Sequence, residues 1–277
     1  MKKIFVFALV TGSALTGFSQ ARVVDKAIVK AQTEITFPEN MGGGPPGGGD
    51  GNVMMARPGS MEAGITIYLK GDMTKVESTT DFGNNIVISD RKNKKTTTLI
   101  EAMGRKTGFY STDEDDAAMR SRMDSVRNAR RDSLAALGIP IGQPAKPEIE
   151  YVNESKKIAG INCKKAIVRS KDQRGQVNET VVWYAPDFKM ATGTTMGGGR
   201  GMMAMAGVNG LDQLEGFPME YEIIRNNGMR IHMQVTKVQL DANVDDKVFE
   251  IPKGYDIKPM SEMQGPGGRG MFRMGGN

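Results

Sequence analysis

The sequence predicts a mainly β protein of the α+β kind, an antiparallel sheet with one main amphipathic helix and Gly/Met-rich loops. Three observations lead there. Apolar and polar residues alternate with period two along most of the chain, and most links between these stretches are of hairpin length. One stretch alone switches to helical spacing between clear cap signals.

Val29, Ala31, Thr33, Ile35 and Phe37 alternate with Lys30, Gln32, Glu34 and Thr36, which predicts a strand with one buried face. Ile65, Ile67 and Leu69 repeat the pattern, and Lys70-Gly71-Asp72 turns the chain into a partner strand over 73–77. Stretches 86–89 and 96–103 form a second hairpin around the polar run 91–95. Later come 148–152, 161–169, 177–185, 219–225 and 229–240, most of them linked by short turns such as 172–175 and 226–228. Such connections predict an antiparallel meander rather than βαβ units. In the last strand the apolar phase shifts between Val235 and Val238, which predicts a bulge near Thr236. In 177–185, Val181, Trp183 and Ala185 share one face and Val182 and Tyr184 the other, so both faces need cover.

The helix spans 111–138. Ser111 with Glu114 reads as a capping box, Asp113 to Asp116 place negative charge at its N-terminus, and Gly138 and Pro140 close it. Met119, Met123, Val126, Leu134 and Leu137 fall in one stripe, which predicts packing against the sheet. Arg120, Arg122, Arg127, Arg130 and Arg131 crowd the remaining surface as a solvated face. The alternative is a lid or partner surface, built on Met119, Met123, Arg127 and Arg130, that meets anionic lipid at the envelope membrane or an acidic protein.

Lys2 and Lys3, the apolar run Ile4 to Leu15, and the small residues around Ser19 and Ala21 make residues 1–21 a secretory signal peptide. The expected location is therefore periplasmic or otherwise exported. The sole cysteine, Cys163, lies deep in the chain, so it offers neither an N-terminal lipid anchor nor an internal disulfide, and its apolar surroundings predict a buried residue. No later segment is long and apolar enough to span a bilayer. The formal charge of +5 is too small to argue for a nucleic-acid partner. We expect one β-rich domain over 22–258, with flexible insertions at 38–62 and 191–210, and a disordered Gly/Met-rich tail at 259–277.

The chemistry-bearing residues are sparse. One histidine and one cysteine do not make a zinc site, and His232 falls on the polar phase of its strand with Arg230 and Gln234. Asp115-Asp116 and Asp245-Asp246 have helix-start and turn contexts, and Gly197 to Gly199 runs into Arg200 without a phosphate-loop ending. We therefore expect no catalytic residues, no cofactor and no metal, and a non-enzymatic role. Of the 21 methionines, Met54, Met55, Met196, Met202, Met203 and Met205 are among those in Gly-rich stretches. They read as linker, as an adaptable apolar cover, or as soft Cu(I) ligands.

Several phrases taken in order resemble an exported bacterial family catalogued as a domain of unknown function, number 4412. They are 67–77, 86–99, KKIAGINCKKAIV (156–168), VVWYAPDF (181–188), GFPMEYE (216–222) and FEIPKGY (249–255). That family is similar in turn to the LolA-like fold, a curved antiparallel half-barrel around an apolar hollow with helices as a lid. The resemblance implies a carrier or binder of an apolar or lipidated ligand, an acyl chain or a lipoprotein, with Trp183, Tyr221, Met219 and Phe249 as the bulky candidates to line the hollow. The rival reading is an envelope protein–protein interaction module that uses the Arg-rich helix and Met-rich loops. A carboxylate-based hydrolase and a Cu(I)-binding protein stand behind these two.

Overall fold

The computed structural model describes residues 21–38, 59–137, 146–171, 177–191, 210–225 and 227–263. Residues 1–20 of the expected signal peptide, most of both Gly-rich insertions and most of the tail lie outside the described residues.

The alternating stretches become strands as predicted. Lys26–Phe37 (β2), Gly59–Lys70 (β3), Met73–Thr80 (β4), Gly83–Asp90 (β5), Lys95–Ala102 (β6) and Arg105–Thr112 (β7) run as one meander. Glu148–Ile158 (β8), Ile161–Lys171 (β9), Val177–Ala185 (β10), Phe217–Ile224 (β12) and Arg230–Leu240 (β13) make the other strands, and β13 pairs with β2 to join the two halves. The result is a large curved open sheet of twelve strands, ordered β14-β7-β6-β5-β4-β3-β2-β13-β12-β10-β9-β8, with Asp256–Pro259 (β14) at one edge and β8 at the other. Two pairings depart from the expected antiparallel pattern. β14 runs parallel to β7, and Arg22–Val24 (β1) pairs in parallel with Phe188–Met190 (β11) in a separate two-stranded sheet.

β7 went unread because its polar sequence RKTGFYST hides the alternation and because Met103-Gly104 makes the preceding turn. Both turn residues have positive φ (51° and 75°), the conformation that a two-residue hairpin link of matching twist demands. The bulge near Thr236 is present: β13 shifts register against β2 between Val235 and Lys237, and Thr236 Oγ1 donates to the Lys30 carbonyl.

Paired residues share a face, so the register tells the two sides apart. Val29, Ile67, Met233, Tyr221, Val182 and Ala166 lie buried on the same side and form the main core. Val24 and Phe188 from the small sheet, together with Leu211 and Leu214, cover them. Phe188 stacks on Phe217 with ring centroids 5.4 Å apart. The opposite side has its own cover farther along, where Ile88 and Leu99 are buried. There Ile257 of β14 comes so close that a Cβ on Gly108 would sit 3.2 Å from it and 2.8 Å from Leu99. The C-terminal segment is ordered farther than expected. β14 includes Pro259, and Met260–Met263 (α2) follows with Met260 buried, so 259–263 is not part of a disordered tail. Likewise 59–62 belong to β3 rather than to a flexible insertion.

The helix runs Asp113–Ala136 (α1), one residue later at its cap than predicted. Ser111 stays buried in β7, and Thr112 caps instead: its backbone N–H donates to Asp115 Oδ2 at 2.8 Å while its Oγ1 accepts from the Asp115 N–H at 3.2 Å. The larger correction concerns packing. No residue of α1 is buried, and β7, which leads into it, is the element it chiefly meets. The expected packing of its apolar stripe against the sheet is absent among the described residues.

The core closes tightly over Gly216, where a Cβ would fall 2.1 Å from the Ala185 carbonyl oxygen and 2.7 Å from the Tyr184 ring. Gly216→Ala should therefore destabilise the protein by about 1–3 kcal/mol through overpacking. Urea denaturation followed by circular dichroism would measure it.

Candidate functional site

The four residues proposed to line a hollow do not share a surface. Met219 and Tyr221 are on the core face at 0% and 1% exposure, so neither side chain borders even a water-sized space. They are core, not lining. Trp183 pairs with Glu220, which puts it on the opposite face. Phe249 ends the short 3-10 turn Asp246–Phe249, which packs on β4 apart from the main core. Period two already set Trp183 on the face opposite Val182 and Tyr184, but only the register between strands shows that Tyr221 lies with these two. A register shift between Trp183 and Tyr184 lets both Tyr184 and Ala185 turn into the core, which breaks the assumed alternation.

Around Trp183 the structure gathers a charged cluster that sequence reasoning missed. Lys156 Nζ sits 4.5 Å from the ring centroid and Lys165 Nζ 6.0 Å, both as cation–π contacts. Lys156 also donates to Glu220 Oε2 at 2.8 Å, and Gln234 Nε2 donates to the same oxygen at 3.0 Å. His232 Nε2 lies 3.6 Å from Glu220 Oε1. Burial pushes the Glu220 carboxyl up, but hydrogen bonds from Lys156 and Gln234 outweigh it and hold the group below its usual range. A carboxylate kept ionised in this way is poorly suited to donate a proton near neutral pH. The cluster ties β8, β10, β12 and β13 together across the outer face. Trp183 thus has the cover that its apolar character demands, supplied by lysine stems instead of a second layer.

The open apolar surface lies elsewhere, along the core face beyond β3. The register aligns Ile67, Val76, Val87, Thr98 and Phe109 in one row across five strands. A second row holds Ile65, Ser78, Asn85, Ile100 and Thr107, and a third runs from Leu69 through Thr74, Ser89 and Thr96 to Ser111. Ile65, Ile67 and Leu69 are fully buried, whereas Val76, Val87, Ile100 and Phe109 are half-buried. Thr74, Thr98 and Ser111 in the same rows are buried, so the core thins into a shallow trough that is half-open at Val76, Val87, Ile100 and Phe109. Within it the Asn85 Oδ1 is buried with no hydrogen-bond partner among the described residues. Such an atom costs about 1–3 kcal/mol unless something donates to it.

On α1, Met123 is 59% exposed, Met119 is half-buried, and Arg127 and Arg130 are exposed. Arg127 Nη1 pairs with Asp124 at 3.1 Å. With Met123, Arg127 and Arg130 turned to solvent, these residues do not form a closed lid among the described residues. Cys163 is fully buried, and desolvation raises its thiol above the ordinary range, as expected of an inert residue. Among the described residues no group of three or more His, Cys, Asp or Glu side chains could hold a metal ion. Most of the methionines proposed as soft ligands fall outside the described residues.

The fold and these surfaces define a mainly β protein with a large curved open sheet and one main helix. Residues 144–255, under half of the chain, match the family model described as "Domain of unknown function (DUF4412)", so the resemblance read from the phrases holds over that stretch. Two crystal forms of PNGF-II are 15% identical to the chain, with TM-scores of 0.35 and 0.34, and the alignments cover 86% and 85% of this chain. The chain spans only 32% of each PNGF-II chain. A domain described as an outer membrane lipoprotein-sorting protein domain, from Vibrio parahaemolyticus, is 7% identical with a TM-score of 0.28, covering 83% of this chain and 92% of that one. No curated protein matches.

Two measurements probe these surroundings. The Tyr221 hydroxyl is buried without a partner among the described residues, and burial pushes its pKa up to about 12 from 10.0. Because the folded value exceeds the unfolded one, the native state keeps its full stability below pH 10 and loses it as pH rises toward 12, by about 3 kcal/mol. Tyr221→Phe should abolish that alkaline loss and leave neutral-pH stability equal or higher, as thermal melts across this range would reveal. For Glu220 the folded value is depressed, so its contribution is present above the unfolded carboxylate range and fades as pH falls through the folded one. Glu220→Gln should cost about 1–3 kcal/mol at pH 7, and the gap to the parent protein should narrow in acid.

Proposed function

We propose that this protein is a non-enzymatic binder or carrier of an apolar or lipidated ligand, an acyl chain or the acylated end of a lipoprotein, in the periplasm or another exported compartment. The observation that carries the reading is the trough. Val76, Val87, Ile100 and Phe109 continue in register from residues that are fully buried, yet keep half-open surfaces. An alkyl chain laid across them gains roughly 0.8 kcal/mol per methylene removed from water. Hydroxyls from Ser89, Thr96 and Thr98 give the floor enough polarity to remain stable when empty. No helix among the described residues is long and apolar enough to cross a membrane.

Native mass spectrometry of the chain from Arg22 onward should detect a copurified acyl species, and a dansyl-labelled fatty acid should bind saturably at one site per chain. Val87→Thr and Phe109→Thr should each weaken that binding at least about tenfold, since losing two or three methylene contacts is worth that much, while circular dichroism shows that the sheet still forms. Saturable binding that ignores both substitutions, or none at all, refutes this location.

A further inference from the structure

The apolar stripe of α1 remains unused by the trough, and most of it is exposed, with Met119 and Leu134 half-buried. Met123, Val126 and Leu137 are 59%, 66% and 73% exposed, an unusual cluster of large apolar side chains on a helix of 24 residues. Positions 119, 123, 126, 130, 134 and 137 are spaced three or four apart and fall on one face. Arg130 lies within that stripe, Arg120, Arg127 and Arg131 border it on one side, and Arg122 borders it on the other. The opposite side carries Ser121, Asp124, Asn128 and Asp132. Asp124 partly neutralises Arg127 through their ion pair. The remaining carboxylates are confined to the first turn, Asp113 to Asp116, where the helix leaves β7.

We propose that α1 docks the protein onto an anionic bilayer surface, lying in the headgroup plane with Met123, Val126, Leu134 and Leu137 in the acyl boundary and the bordering arginines on lipid phosphates. The distribution of charge selects this occupant. A second copy of the same helix would bring arginine borders against arginine borders, a like-charge contact that disfavours pairing. A purely apolar partner would leave Arg130 desolvated in the middle of the contact. An anionic interface supplies a greasy interior and a negative rim together, the combination this stripe presents in mirror image. The acidic first turn is repelled by the same surface. The helix therefore seats from Met119 onward while its start stays raised with the sheet.

The test uses the chain from Arg22 onward in co-sedimentation with vesicles of phosphatidylcholine alone or mixed with phosphatidylglycerol. Binding to the mixed vesicles should be at least about tenfold tighter and should weaken with added salt. Val126→Asp, and separately Arg127→Glu combined with Arg130→Glu, should each reduce it at least about tenfold. Their melting temperatures should match the parent, because the substituted side chains are exposed. Equal binding to both vesicle types, binding to neither, or binding indifferent to these variants overturns the proposal. So does a dimer in sedimentation velocity that Val126→Asp dissociates, or binding to soluble polyglutamate as tight as to the mixed vesicles, which would assign the stripe to an acidic protein. The fatty-acid assay on the same Val126→Asp variant separates the two sites: it should bind the dansyl fatty acid normally whatever the vesicle result.

Discussion

An open sheet of twelve strands has two broad faces, and the rest of the described structure follows from how few of the described residues outside it cover them. A β-sheet is stable only where at least one side is shielded from water. Here cover is supplied piecemeal. The small β1–β11 sheet with Leu211 and Leu214 protects one side of the C-terminal half, and the segment around Ile257 and Met260 protects the other side near β6 and β7. Between and beyond these patches the sheet makes do with lysine stems over Trp183 and with threonine and serine hydroxyls. The trough is the place where shielding of the core face runs out.

Most of the strands were legible because a half-shielded sheet imposes a period of two on the sequence, and β2, β3 and β13 obey it closely. Even the bulge at Thr236 left its mark as a phase change. The strands that escaped notice are those without an apolar alternation. β7 is largely polar, while β1, β11 and β14 have three, three and four residues, too short to carry a period.

Placement of side chains was less legible, for two physical reasons. Alternation predicts a face only while the register is unbroken, and the shift between Trp183 and Tyr184 turned Ala185 into the core beside Tyr184 and away from the face it was expected to share with Trp183. Helical spacing, in turn, states that a stripe exists but not how far it is covered, and Met123, Val126 and Leu137 of the α1 stripe stay exposed. The Glu220 cluster draws on β8, β10, β12 and β13, so its members are scattered from Lys156 to Gln234 and no local signal joins them. The half-open rows of β4 to β7 could have been found by aligning the hairpins, because their register is fixed by tight turns.

The sheet also never closes on itself, which leaves β8 with a free flank among the described residues. An unpaired strand is a template on which another molecule can polymerise. The sequence of β8 works against that outcome: Glu148, Glu150, Glu154, Lys156 and Lys157 stud eleven residues, and its register slips between Val152 and Ser155. A flat incoming strand would meet charge and a kink in place of a straight ladder. Resistance to fibril growth is thus written into the longer of the two borders that the sheet leaves open among the described residues.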